Sequence, residues 1–331
     1  MSKKYGYIDL FCGAGGFSKG FEIEGFENIF ALDSEYDFCR TYQTNFPNHT
    51  LVEKKIEDVT STEIIELVGK KEVDVIIGGP PCQGFSMAGN IGRKFLDDPR
   101  NKLFTEMVRI VEIVKPKIVV IENVARLYTH NENRSRNEII NSFHDQGYNI
   151  DCKILNAVDY NVPQNRRRVF FIASRISSDI KFPDGKSKPK TIKSAIDNLP
   201  LIKSGQSSLI PNHVAMNHSE QMLCKMSFVK NGGDRSAIPK NIRPKSGDIR
   251  KYIRYDSEKP AVTITGDMRK VFHYKLNRAL TVRELARIQT FEDDFNFEGK
   301  SISQQQQVGN AVPPLLARAV AKKIKEMLQD G

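Results

Sequence analysis

Cys82 sits in the stretch Gly78-Gly79-Pro80-Pro81-Cys82-Gln83-Gly84-Phe85-Ser86, directly after Val73-Asp74-Val75-Ile76-Ile77. That β-branched run predicts a short buried strand. The two prolines end it, because proline removes a backbone donor and fixes φ. A thiol just past the carboxyl end of such a strand lies where open α/β sheets bind ligands, so Cys82 is a candidate nucleophile. Glu122 follows a second apolar run, Lys117-Ile118-Val119-Val120-Ile121, and is expected at a second strand end. Arg166 and Arg168 flank Arg167 on a predicted strand, where alternate residues share a face. Asp33 closes another predicted strand 18 residues beyond Gly15, the distance at which an acid can accept hydrogen bonds from ribose hydroxyls. Taken singly, each has a plainer reading: a turn acid, a helix cap or solvated arginines.

The elements that must position these groups follow the pattern of a nucleotide-type α/β sheet. Tyr7-Ile8-Asp9-Leu10-Phe11 predicts a first strand, Cys12-Gly13-Ala14-Gly15-Gly16-Phe17 a glycine-rich turn, and residues 18–24 a helix. The loop lacks the third glycine of the dinucleotide fingerprint, and the chain has no P-loop motif. A cofactor without a pyrophosphate, such as S-adenosylmethionine, fits better than NAD. Helices are predicted at 36–45, 60–68 (with Ser61 or Thr62 as N-cap), 103–114, 138–146, 281–290 and 315–328. Residues 87–100 are polar, carry Gly89, Gly92 and Pro99, and show no helical stripe, so they are a candidate lid. From about Ser174 the character changes. A Lys/Pro/Gly/Ser-rich linker at 181–189 leads into a segment of short β-like pieces, among them 261–265 and 271–276.

Size and charge agree with two domains. Net charge is +10 over 331 residues. Residues 176–275 hold 19 Lys and Arg against 9 Asp and Glu, so this segment carries the whole excess. A neutral body joined to a basic segment is the footprint of a polyanion-binding protein. Five cysteines with no CxxC, no apolar leader and no apolar run of membrane length point to a cytoplasmic, reducing setting. His213, His218 and Cys224 match no common zinc spacing, and no metal is expected.

Six motifs then carry a resemblance. They are Asp9-Leu10-Phe11-x-Gly13-x-Gly15-Gly16, Gly79-Pro80-Pro81-Cys82-Gln83-x-Phe85-Ser86, Glu122-Asn123-Val124, Gln164-x-Arg166-x-Arg168, Arg278-x-Leu280-Thr281-x-Arg283-Glu284-x-Ala286-Arg287 and Gly309-Asn310-Ala311-Val312-Pro313. In this order, across nearly the whole chain, they resemble the DNA (cytosine-5-)-methyltransferases of bacteria and phage. The resemblance implies a Rossmann-like S-adenosylmethionine-dependent methyltransferase fold, with a mixed, mostly parallel sheet. It adds a small, irregular, β-rich target-recognition domain. Expected boundaries are 1–180 for the catalytic and cofactor-binding domain, 181–277 for recognition, 278–304 for a hinge and 305–331 for the return to the catalytic domain.

It further implies methylation of carbon 5 of a flipped-out cytosine in duplex DNA, with Cys82 adding to carbon 6, Glu122 acting at ring N3, and Arg166 and Arg168 orienting the base. Phe11, Gly13, Gly15, Phe17, Asp33, Ile56, Pro80 and Asn310 would hold the cofactor, and Gln83, Ser86, Thr263 and Ile264 would contact DNA. The family often has an aspartate before the isoleucine at 56, and this chain has Lys55. Either Asp58 serves there or the contact to the adenine is absent. The enzyme is expected to be a monomer, with a companion restriction endonuclease as a possible but not required partner. Two other readings share these residues: an RNA (tRNA) cytosine-5 methyltransferase and an inactive DNA-binding regulator. The chain lacks the Cys-Phe-Thr tripeptide of the tRNA branch, and it keeps Cys82, Glu122 and Arg168.

Overall fold

The computed structural model describes residues 4–81, 101–245 and 251–330. The chain forms two compact units. The first comprises Met1–Asn156, Arg167–Gly185 and Pro314–Gly331, and the second Ala157–Arg166 and Lys186–Pro313. The second unit thus takes in residues 157–166 as well as 278–313.

The first unit contains β1 (Gly6–Leu10), α1 (Gly16–Ile23), β2 (Glu27–Asp33), α2 (Tyr36–Asn45), β3 (Leu51–Glu53), α3 (Ser61–Val68), β4 (Val75–Gly78), α4 (Lys102–Val114), β5 (Ile118–Val124), α5 (Arg134–His144), β6 (Asn149–Asn156), β7 (Arg167–Ser174) and α6 (Pro314–Asp330). The strands form one sheet in the order β3-β2-β1-β4-β5-β7-β6. All pairs are parallel except those made by β7, which runs antiparallel to both β5 and β6. The first strands step one way from β1 and β4 starts on its other side. The switch point, where such sheets bind ligands, therefore lies between the carboxyl ends of β1 and β4.

Local sequence explains these elements. Every residue of β4 is buried, as expected of a central parallel strand. In α4 the buried residues Phe104, Met107, Ile110 and Val111 recur at helical spacing and join the main apolar core. Helix α3 is capped by Thr60 rather than Ser61 or Thr62, because Thr60 and Glu63 close a capping box. Pro314 opens α6, where its missing N–H costs nothing.

The second unit is irregular. Among the described residues its strands are four of two residues each, Gln164–Asn165 with Ala261–Val262 and Ile253–Arg254 with Val271–Phe272. The expectation of a β-rich segment is met only to that extent. Helices occur at Ile192–Ile196, Glu220–Phe228, Val282–Ile288 and Ser301–Asn310. Loop carbonyls buried without a sheet ladder need other donors, and arginines supply them. Arg254 donates to the carbonyls of Met226, Val229, His273 and Leu276. Arg283 donates to those of Pro211, Glu292 and Phe295. Arg278 forms a bidentate pair with Glu284 at 2.8 and 2.6 Å, and Glu284 also closes a capping box with Thr281. His213 hydrogen-bonds Thr281 at 2.9 Å, so it is a structural residue.

One contact of the first unit is steep enough to test. Gly20 of α1 meets α6 so closely that an added Cβ would lie 2.4 Å from Ala317 Cβ and 2.5 Å from the Arg318 amide nitrogen. Gly20→Val is expected to cost about 1–3 kcal/mol by overpacking and to lower the melting temperature by several degrees. An unchanged melting curve would contradict this packing.

Candidate active site

The glycine-rich turn leaves β1 through Phe11, a non-glycine residue at φ 62, followed by Gly13 at φ 54 and Gly15 at φ 92. These left-handed conformations fold the turn back on β2. The Cys12 amide donates to Leu32 O, and the Gly13 amide donates to Asp33 Oδ2 at 2.8 Å. A Cβ at Gly15 would lie 2.3 Å from the Phe46 ring, whereas a Cβ at Gly13 would meet nothing within 4 Å. Gly15 is therefore required by packing, while Gly13 presents bare backbone to open space. Backbone without a side chain there leaves room for close approach by a ligand. Phe17 is buried and packs edge-on against Phe170.

Asp33 ends β2. Its Oδ1 accepts from the Ser34 and Glu35 amides, and its Oδ2 from Gly13. Burial raises its pKa, and the three amides act against that rise. Each carboxylate oxygen has two lone pairs, so Asp33 has capacity for a ribose hydroxyl while already fixing the loop. Glu35 follows it and is exposed, and Tyr36 is 65% exposed at the start of α2. Ile56 is buried in the core, and its carbonyl accepts from Arg109, so its side chain belongs to the packing. Lys55 and Asp58 are both exposed on the same turn.

At the end of β4, Pro80 is buried and its carbonyl accepts from Asn123 Nδ2 at 2.9 Å. This bond ties the start of the Cys82 loop to the Glu122-Asn123-Val124 motif. Glu122 does not end β5. It lies within the strand, opposite Phe170, because antiparallel β7 extends the ladder through Val124. Its carboxyl is nearly buried, and a Cβ on Gly79 would lie 3.5 Å from Oε2. Arg168 stands opposite Val124 and pairs its Nε with Glu122 Oε1 at 3.0 Å. Oε1 has no aligned hydrogen-bond donor among the described residues, so the contact is an ion pair with an open acceptor. Cys82, Gln83, Ser86 and the lid at 87–100 lie outside the described residues. Of the other cysteines, burial raises the Cys12, Cys39 and Cys152 thiols, the last two to about 12 and 11. Those three are thereby kept as inert thiols.

Arg166 belongs to the second unit and is 1% exposed. Its guanidinium donates to the carbonyls of Gly309 at 2.8 Å and of Ile264 and Asn310 at 3.3 Å. It is thus a clamp on distant carbonyls, whereas Arg168 pairs with Glu122. Thr263 is half-buried with its hydroxyl on Asn165 O at 2.8 Å, Ile264 is 1% exposed, and Asn310 is exposed. Only Thr263 of the recognition pair offers a side chain to a ligand. Elsewhere in this unit, Arg235, Lys240, Arg243 and Lys245 line a cavity of about 500 Å³. Arg243 is fixed there by the carbonyls of Ile238 and Ser236, and Asp234, the one carboxylate among the described residues that line it, is engaged by the Ser236 amide. Among the described residues no cluster of His, Cys, Asp and Glu could hold a metal, and no helix is long and apolar enough to cross a membrane.

Comparison with known proteins agrees with this geometry. Residues 5–326 match the family described as C-5 cytosine-specific DNA methylase. The chain is 56% identical over 322 residues to the Type II methyltransferase M1.HphI of Haemophilus parahaemolyticus, covering 97% of this chain and 87% of that protein. It is 36% identical to M.DdeI of Desulfomicrobium norvegicum, covering 96% and 88%. A crystal structure described as a DNA modification methyltransferase encoded within an E. coli prophage superposes with a TM-score of 0.79 at 26% identity, over 98% of this chain and 100% of that one. The Entamoeba histolytica methyltransferase EhMeth shares the fold, with a TM-score of 0.74 at 18% identity over 99% of each chain. The chain therefore belongs to the C-5 cytosine-specific DNA methylases and is a DNA cytosine-5 methyltransferase.

Proposed function

We propose that the first unit methylates carbon 5 of a cytosine flipped out of duplex DNA, with Cys82 as nucleophile. The observation that carries this reading is the Glu122–Arg168 pair, held beside Gly79 on the loop that leads to Cys82. Carbon 5 of cytosine is a poor nucleophile. A Cys82 thiolate bonding to carbon 6 makes carbon 5 enamine-like. Glu122 gives ring N3 a proton or a hydrogen bond, which eases that addition. Arg168 neutralises charge that develops on the ring. When bound, S-adenosylmethionine supplies an electrophilic sulfonium methyl. Loss of the carbon 5 proton, then of the Cys82 thiolate, restores the aromatic ring.

The open space beyond Gly13 fits that cofactor, with Asp33 and Glu35 available to its ribose and Tyr36 to its adenine face. Phe11, Phe17 and Pro80 would complete its contacts. The second unit serves as the recognition unit, meeting DNA through Thr263 and through phosphates at the basic cavity. A base stacked in a duplex is out of reach of a thiolate at a sheet edge, hence the flipping step. The Type II names of the relatives support a role in a restriction–modification pair. In this reading the enzyme acts as a monomer in the cytoplasm, with no endonuclease subunit required.

Purified protein with labelled S-adenosylmethionine is expected to transfer label to duplex DNA and not to tRNA. Label on tRNA alone would overturn the reading. Cys82→Ser should lower the rate by at least about 10³-fold, and Glu122→Gln by about 10²–10⁴-fold, with cofactor affinity retained in both. Replacing Lys240 and Lys245 together by alanine should weaken binding equally for any duplex sequence. It should also reduce the salt slope by about 1 for each phosphate no longer neutralised. An unchanged slope would remove the cavity from the DNA interface.

A further inference from the structure

We infer that Asp234 and Arg243 are specificity-determining residues that read one C·G base pair beside the target cytosine, the acid accepting from cytosine N4 and the arginine donating to guanine O6 and N7. The inference deepens the reading of the second unit as the DNA-recognition unit and rests on it.

One residue fixes both groups. The Ser236 amide donates to Asp234 Oδ1 at 2.7 Å, and the Ser236 carbonyl accepts from Arg243 Nη2. Arg243 Nε also donates to Ile238 O at 2.8 Å, which sets the plane of its guanidinium fork. The frame beneath is tight. Ile238 is buried in the apolar cluster with Met226, Val229 and Phe272. The Arg243 amide donates to Pro239 O at 2.9 Å, and the Arg254 amide donates to Gly233 O at 2.9 Å. Asp234 and Arg243 line one cavity with Ser236, Lys240 and Lys245.

The acid is the informative member. Lysines and arginines suffice to hold phosphates, and a carboxylate among them weakens that hold. Hydrogen bonds from the Ser236 hydroxyl and amide, then the Arg235 and Arg243 charges, keep the Asp234 carboxyl below its usual range. It caps the turn Arg235–Ala237 through the Ser236 amide, yet an ionised carboxylate offers further lone pairs to a donor from outside. Phosphate contacts position a protein on DNA, and base contacts specify. In the major groove an aspartate suits the N4 amino group of cytosine, and an arginine suits O6 and N7 of guanine. A C·G pair shows both on one edge, where an acid and an arginine tied to the same residue can meet them together. Lys240 and Lys245 are left for the phosphates.

The test compares wild type, Asp234→Asn and Asp234→Ser for methylation rate and affinity on the preferred duplex and on duplexes with each flanking base pair changed in turn. Asparagine and serine both cap such a turn, so melting should stay near wild type. With Oδ1 held by the Ser236 amide, asparagine puts an N–H donor where an acceptor stood. Wild type should favour C·G at one flanking position by about fivefold or more. Both variants should lose that preference and keep discrimination at every other position. An unchanged profile would reduce Asp234 to a cap, and a uniform gain in affinity for all duplexes would reduce the cavity to a phosphate site; either overturns the inference. Loss at an A·T pair would assign the acid to adenine and overturn the C·G assignment. Replacing that cytosine by 2-pyrimidinone, which lacks the 4-amino group, should cost the wild type a similar factor and the variants little. An equal cost in all three proteins would again overturn it. Methyl incorporation by the wild type on the preferred duplex, measured in parallel, separates these outcomes from failure of the reaction itself.

Discussion

The antiparallel ladder between β5 and β7 is the constraint from which the site follows. β7 pairs residue by residue from Ile118 with Ser174 to Val124 with Arg168. That register holds Glu122 inside the sheet, brings Arg168 within an ion pair of it, and keeps Asn123 in reach of the Pro80 carbonyl. The acid, its counter-charge and the start of the nucleophile loop are thereby set by backbone pairing. Rigid strands position such groups better than loops do.

The same economy of polar groups shapes the second unit, with a different solution. It has little sheet and a small apolar cluster of Met226, Val229, Ile238 and Phe272. Its loops are held by Arg166, Arg254, Arg278 and Arg283, whose planar forks satisfy several carbonyls at once. Removing one such arginine would leave carbonyls buried and unpaired, which costs about 1–3 kcal/mol for each. A recognition surface can then vary in its exposed loops while the buried forks keep the frame.

Much of this was legible in the sequence because its signals are local. The apolar runs before Gly78 and Glu122, the glycine turn after Leu10 and the stripe of α6 each report their own structure. What stayed hidden depends on distant partners. The spacing of Arg166 and Arg168 says that they share a face of a strand. It does not say that one serves Glu122 and the other serves carbonyls 98 and 143 residues away. The helix Ser301–Asn310 has no apolar stripe, because Gln305 and Gln307 are buried through amide bonds to Met268 N and Glu298 O. The basic excess of residues 176–275 is also partly interior, since Arg254 is buried. Net charge indicated a polyanion partner but not which cations face it.

The central claim is a covalent bond from Cys82 to the target base. A duplex carrying 5-fluorocytosine at the methylation site has no carbon 5 proton to lose, so the adduct should persist after methyl transfer. The protein should migrate with the DNA on a denaturing gel, and mass spectrometry of the digested complex should place the nucleotide on the Cys82 peptide. An active enzyme that forms no such complex, or one whose adduct maps to another residue, would contradict the account.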